Sequence, residues 1–183
     1  APARASTPSA VVHHDTERFT AWTFGELPEL MEIRKGGQTL IGFPALASTS
    51  MEQGRLAACN AFGVPCFSDT ELLPYGIYTI PECSMAGPAE AELIEKKVPY
   101  VVGRASYGTN ARGQIVGDTT GFIKLIFHAD SRKLLAVHVL GEQATELVHI
   151  GLTAPLMGAT VDLFIYTCYN YPTLSEVYKY ASY

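Results

Sequence analysis

The strongest periodic signal in the chain is "GFIKLIFHADSRKLLAVHVLG", residues 121–141. Two runs of β-branched and aromatic residues flank Ala129-Asp130-Ser131-Arg132, whose short polar side chains suit a reversal, so the pattern predicts a β-hairpin. Upstream, "YVVGRAS" reads as a further strand. "GIYTIPE" reads as a short one, with Ile77, Thr79 and Pro81 on one face and Tyr78 and Ile80 on the other.

Helical spacing enters elsewhere. "PALASTSMEQGRLAACNAFG" places Leu46, Met51, Leu56 and Ala57 in a helical context, with Gly63 as its C-cap. In "GPAEAELIEKKVPY" a proline stands near the start, glutamates come early and lysines late, the order that a helix dipole favours. "EQATELVHIGLTAPLMG" sets Ala144, Leu147, Val148 and Leu152 on one side. "TVDLFIYTCY" opens on Thr160 as an N-cap, and in "PTLSEVYKYAS" the pair Thr173 and Glu176 has capping-box spacing. The order of elements predicts an α+β domain, an antiparallel sheet backed by helices. Residues 1–40 show no clear period. They are expected to form an extended or partly disordered arm, with residues 41–183 as the domain and its leading helix.

Composition narrows the classes. The chain has 183 residues, of which 48% are hydrophobic and 17% charged, with a net charge of −5. That describes a core-forming globular sequence and argues against a nucleic-acid binder, for which a clustered basic face is expected. Ten tyrosines and eight phenylalanines leave more apolar surface than a lone domain hides, which predicts an interface with other protein subunits. No apolar run reaches the roughly 18 residues of a membrane span. The start, "APARASTPSAVVHH", resembles the remnant of a removed targeting peptide and suggests a mitochondrial setting, with cytoplasmic as the other choice.

Cys59, Cys66, Cys83 and Cys168 have neither C-x-x-C nor zinc-ribbon spacing. They read as buried small hydrophobes, with one bridge or a metal as the other possibility. His13-His14 reads as an exposed pair on the arm. His149 with Glu142 and Glu146 has the spacing of a metal site, but an interface helix with paired polar groups is the preferred reading. His128 and His138 are expected in cross-strand pairs, and no metal site is expected.

Residues 41–181 resemble one family closely, through "IGFPALASTSMEQGRLAA", "GIYTIPECSMAG", "KVPYVVGRA", "ARGQIVGDTTGFIKLIFH", "GEQATELVHIG" and "NYPTLSE". These stretches are similar to the soluble, flavin-dependent pyridine nucleotide transhydrogenases. Those belong with dihydrolipoamide dehydrogenase and glutathione reductase among the flavoprotein disulfide reductases. The resemblance implies that family's interface, or dimerisation, domain. It also implies that disulfide-reducing members place a proton-shuttling histidine before the Pro-Thr pair, oriented by the glutamate. Here Tyr171 stands at the histidine's position and Glu176 at the glutamate's, a vestigial dyad that the transhydrogenase branch shares. The flavin-contacting aspartate is replaced by Thr39, and "ERFTAWTFGELPELMEIRKGG" looks unrelated to the family.

No G-x-G-x-x-G turn, which would meet a dinucleotide pyrophosphate with backbone N–H groups, occurs in the chain. The expectation is therefore a non-catalytic relic without a cofactor: a structural or accessory subunit of a mitochondrial respiratory or ATP-synthesising assembly, with a second copy of itself among its candidate partners. The alternative is the C-terminal dimerisation part of a split or truncated FAD-dependent NAD(P) transhydrogenase, its FAD and NAD(P) bound with a partner chain. A free regulatory homodimer is a third idea.

Overall fold

The computed structural model describes residues 46–66 and 72–183 in full, and the backbone of the strands within 11–39. The chain divides into two units, Ala1–Thr70 and Glu71–Tyr183.

In the first unit, strands β1 (Val11–Asp15), β2 (Thr20–Phe24), β3 (Glu29–Lys35) and β4 (Gln38–Thr39) pair in sequence order. All three pairings are antiparallel, with a register shift between Trp22 and Thr23. The segment expected as an extended arm thus holds strands that pair with one another. The side chains of His13, His14 and Thr39 lie outside the described residues. Helix α1 (Ala47–Phe62) follows and ends at Gly63, whose φ of 67° is the left-handed conformation that glycine adopts without strain.

The second unit holds a five-stranded antiparallel sheet in the order β5-β6-β9-β8-β7. Its strands are β5 (Pro74–Ile77), β6 (Cys83–Ala86), β7 (Tyr100–Ser106), β8 (Phe122–His128) and β9 (Leu134–Leu140). The β8–β9 hairpin forms where the pattern places it, in a register that sets Leu125 opposite Val137 and Lys124 opposite His138. His128 stands opposite Tyr100 of β7 as a cross-strand pair. Its Nδ1 accepts from the N–H groups of Asp130 and Ser131, both at 3.3 Å, and so caps the turn.

Elsewhere the pattern misleads. "GIYTIPE" does not continue as a strand: β5 stops at Ile77 and the chain turns through a cis Ile80–Pro81 bond. Pro81 lacks the N–H that a ladder needs, and the hydroxyl of Thr79 donates to its carbonyl at 2.7 Å. Helix α2 (Glu90–Glu95) lies where expected. A helix that the pattern does not mark, α3 (Ala111–Val116), sits inside the glycine-rich "GTNARGQIVG".

Helices α4 (Ala144–Leu156), α5 (Val161–Tyr166) and α6 (Val177–Tyr180) complete the unit. Thr160 takes the N-cap position of α5, but its hydroxyl turns to Asp162 at 3.2 Å and caps no backbone group. One face of the sheet, through Ile123, Leu125, Phe127, Val137 and Val139, shares a continuous core with Leu147 and Val148 of α4, Phe164 of α5, and Val177 and Tyr178 of α6. The opposite face is covered at one end, where Leu93 of α2 packs on Ile126 and Ala136.

Two glycines permit the layers to close. A Cβ on Gly103 of β7 would lie 1.7 Å from the backbone oxygen of Ala181, and one on Gly151 of α4 would lie 2.6 Å from Cγ1 of Val137. Burial of these apolar layers, at roughly 25 cal/mol per Å² removed from water, is the main driving force for the fold.

Candidate functional site: the C-terminal turn and its surroundings

The segment that carries the dyad positions is built from short-range hydrogen bonds. Tyr171 precedes Pro172 across a cis bond and is 74% exposed. Glu176 reaches back to the N–H of Thr173 at 3.5 Å, one half of the capping box that opens the 3-10 turn Leu174–Glu176. The hydroxyl of Thr173 donates to the carbonyl of Asn170 at 2.6 Å.

Asn110, a residue that sequence reasoning passes over, ties this turn to the rest of the unit. Only 1% exposed, it donates through Nδ2 to the carbonyl of Thr173 at 3.1 Å, while its Oδ1 accepts the N–H of Gly113 as the N-cap of α3. The legible signal is an asparagine directly before a short helix-forming run.

Behind the turn, Tyr178 is fully buried and stacked on Phe164 with ring centroids 5.4 Å apart. Its hydroxyl donates to the carbonyl of Leu147 at 2.6 Å and accepts the N–H of Gly151 at 3.0 Å. Burial pushes this phenol well above the ordinary tyrosine range. Tyr107, also buried, is pushed up for the same reason, with the Asp118 carboxylate adding to the effect.

Asp118 is a second overlooked anchor. Its carboxylate accepts the N–H groups of Glu142 at 2.7 Å, Gly121 at 2.8 Å and Thr120 at 3.1 Å, which joins the loop before β8 to the loop before α4. Desolvation opposes its charge, but these donors outweigh it and hold the carboxyl below the usual range.

On the less covered face of the sheet, a cavity of about 650 Å³ is lined by Tyr75, Ile77, Met85, Phe122 and Leu140, with Arg104, Lys124 and His138 at its polar side. Lys124 contacts Glu90 at 2.9 Å, and this hydrogen bond holds the Glu90 carboxyl below its ordinary value. His138 is held toward its neutral form by burial and by the neighbouring Lys124, while its Nε2 faces the carbonyl of Pro88 at 3.4 Å.

His149, Glu142 and Glu146 are all exposed, and among the described residues no group of three or more histidine, cysteine or acidic side chains is placed to hold a metal ion. The cysteines correct one expectation. All four are free thiols; Cys59, Cys66 and Cys83 are partly exposed and Cys168 is exposed, so none is a fully buried hydrophobe. Among the described residues no helix is long and apolar enough to cross a membrane.

A five-stranded antiparallel sheet with α4, α5 and α6 packed on one face, and a cis-proline turn leading into the last of them, defines an interface-type domain of the flavin- and nicotinamide-linked reductases. Residues 73–182 match the family model of the pyridine nucleotide-disulphide oxidoreductase dimerisation domain, and the chain belongs to that family. It is similar to the soluble pyridine nucleotide transhydrogenase of Mycobacterium tuberculosis (strain ATCC 25177 / H37Ra), 53% identical over 143 residues that cover 78% of this chain and 31% of that protein. The soluble pyridine nucleotide transhydrogenase of Marinomonas sp. (strain MWYL1) is 47% identical over 146 residues, covering 78% and 32%. The chain thus spans about a third of the length of these relatives.

Among solved structures, LpdA from Mycobacterium tuberculosis superposes with a TM-score of 0.72 at 19% identity, over 96% of this chain and 47% of that one. The HOCl-induced flavoprotein disulfide reductase RclA from Escherichia coli gives 0.66 at 14%, over 94% and 49%. At these identities the likeness concerns the fold.

The relatives overturn four expectations together. Proteins about half identical to this domain are named as transhydrogenases, so the reading as a non-catalytic relic falls, and with it the conclusion that the chain is no part of an enzyme. The cofactor-free reading, which rests on Thr39 and on absent glycine turns, falls as well, because the relatives are named as pyridine nucleotide transhydrogenases and the family is that of the pyridine nucleotide-disulphide oxidoreductases. A dimerisation domain is one part of such an enzyme, and turns missing from it say nothing about the whole. The mitochondrial setting falls too, since these relatives are bacterial proteins named as soluble. What stands is a dimerisation domain, and hence self-association.

Proposed function

We propose that this chain is the dimerisation part of an FAD-dependent NAD(P) transhydrogenase, acting in the cytoplasm and pairing with a second copy of itself. Residues 41–183 form the working domain with its leading helix. The observation that carries this reading is the 53% identity to a soluble pyridine nucleotide transhydrogenase across most of the chain. Exposed apolar residues at the end of α4, in α5 and in the C-terminal segment, including Leu156, Met157, Leu163, Tyr166 and Tyr171, supply a surface suited to subunit contact.

The described residues do not fit a dinucleotide. None of their glycines stands in a strand-to-helix G-x-G-x-x-G turn, so FAD and NAD(P) belong to other parts of the whole enzyme. The domain's contribution is to hold two subunits together and to present the Tyr171–Pro172 turn at their junction. A phenol is poorly suited to shuttle protons at neutral pH, since phenols ordinarily ionise near pH 10, and hydride transfer between nucleotides requires no such shuttle. Glu176 acts as a helix cap.

The test uses the full-length protein. Expected are stoichiometric flavin absorbance, a dimer in sedimentation, and hydride transfer from NADPH to an oxidised nicotinamide analogue. Tyr171→Phe should keep that rate within about twofold. A loss in the range of roughly 100-fold or more, the usual contribution of a general acid or base, would refute the assignment of Tyr171, and a flavin-free protein would refute the transhydrogenase reading.

A further inference from the structure

We propose that the less covered face of the five-stranded sheet binds the anion of a medium-chain carboxylic acid, its carboxylate held by Arg104 and Lys124 and its chain laid across β9, β6 and β5. The site lies within the second unit alone and does not depend on the transhydrogenase reading.

Strand register builds it. Directly opposed residues of an antiparallel pair stand on the same face of a sheet. Tyr75, Met85, His138, Lys124 and Arg104 are opposed in turn, one on each of β5, β6, β9, β8 and β7, and so form an unbroken row across the sheet. Two positions along the strands, the next row on that face runs through Ile77, Cys83, Leu140 and Phe122. On the other side of the charged row, Leu93 of α2 packs on Ile126 and Ala136. Helix α2 therefore walls one side and leaves a cavity of about 650 Å³ over the two rows. That volume falls inside the roughly 300–1,000 Å³ of small-molecule sites.

The chemistry changes along the rows. Toward β5 and β6 the lining is largely apolar, and Ile77 is 58% and Phe122 38% exposed, surface that a hydrocarbon chain would remove from water. Toward β8 and β7 stand two cations and one carboxylate. Glu90 of α2 accepts from Lys124 at 2.9 Å and from the Tyr100 hydroxyl at 3.2 Å. Arg104 stays 3.8 Å from the same Glu90 oxygen that Lys124 contacts, too far for a hydrogen bond, and its side chain is 66% exposed.

Two positive charges against one negative leave a single unmatched charge, which selects a monoanion. The forked donors of a guanidinium meet a carboxylate through two parallel hydrogen bonds. Because both cations stand at one end of the cavity, they also set the direction in which the ligand lies. From β8 to β5 is three strand spacings, about 14 Å, a reach that suits an extended chain and not a compact acid such as acetate.

The experiment titrates sodium decanoate into the full-length protein by calorimetry, with hydroxyl-radical footprinting of the free and loaded states. Expected are one saturable site per chain with a Kd below about 1 mM, and protection of Ile77 and Phe122 when decanoate is bound. Arg104→Ala should weaken binding about tenfold, the scale of a lost charge-assisted hydrogen bond, and the exposure of this side chain leaves the core untouched. Glu90→Gln removes a competing carboxylate and should tighten binding about threefold, the scale of an exposed charge pair. Decanol, equal in length but uncharged, should bind about tenfold more weakly than decanoate. No saturable heat, equal affinity for decanol, or wild-type affinity in Arg104→Ala would overturn the proposal. So would protection of Ile77 and Phe122 in the protein without decanoate, which would mean that another part of the subunit or a second copy already covers this face.

Discussion

Removing one oxygen from the core, in Tyr178→Phe, should cost about 2–3 kcal/mol of stability. The ring would keep its place, since the stack on Phe164 at 5.4 Å involves the aromatic faces and not the hydroxyl. What disappears is a bridge between Gly151 N–H and Leu147 C=O, at 3.0 and 2.6 Å, in a fully buried site. Each buried hydrogen bond contributes about 1–1.5 kcal/mol net, and a group left without a partner costs more. Because Gly151 and Leu147 are four residues apart on α4, the helix can recover part of the loss by strengthening its own ladder, which sets the lower end of the range.

The assay is urea unfolding of the 183-residue chain, comparing midpoint and slope with wild type. A second readout lies at high pH. The folded state holds the Tyr178 proton more tightly than the unfolded chain does, so its contribution is complete below the unfolded tyrosine pKa of about 10 and is lost as pH rises beyond it. The variant should therefore lose stability less steeply above about pH 10 than wild type. A change below about 0.5 kcal/mol, with an unaltered alkaline slope, would refute the bridge.

Two further outcomes are expected. Gly103→Ala puts a Cβ 1.7 Å from the oxygen of Ala181, so the C-terminal segment must move or detach; a loss of about 3–5 kcal/mol should appear in urea unfolding, with faster proteolysis near residue 181. Asp118→Asn weakens a carboxylate that accepts three backbone N–H groups and should cost about 1–2 kcal/mol at neutral pH, a figure kept small because the loop is partly solvated. Asp118 has a lowered folded pKa, so its contribution is present above the unfolded value of about 4 and fades as pH falls below it; the stability curves of the wild type and the Asp118→Asn variant should converge in acid.

How far the sequence carries a reader depends on the range of the interactions. The β8–β9 hairpin is legible because its alternation and its turn residues are local, and α1 because Gly63 announces its end. Strand β6 is not, since "CSMA" is too short and too mixed to show a period and is held by pairing with β5 and with the distant β9. Helix α3 hides behind glycines that a propensity argument counts against it, although Asn110 and Gly117 cap it at both ends. The positions of Tyr171 and Glu176 are visible by resemblance. Asn110 and Asp118, which hold the surrounding loops, act across 63 and 24 positions, and no local pattern announces such reach. The misreading of function has a different source: the absence of a glycine turn describes one domain, and it does not extend to the enzyme of which that domain is a part.

The two tight glycines differ in what a second substitution can repair. At Gly151 the obstructing atoms are side-chain ones, Cγ1 and Cβ of Val137 at 2.6 and 2.7 Å and the Tyr178 hydroxyl at 3.0 Å, so loss of the whole side chain at 137, as in Val137→Gly, offers an evolving lineage an escape, and positions 151, 137 and 178 are expected to change in concert. At Gly103 the obstruction is the main-chain carbonyl of residue 181, which every amino acid carries. No exchange at 181 makes room there, which leaves position 103 a dead end for sequence drift while the chain's last turn stays where it is.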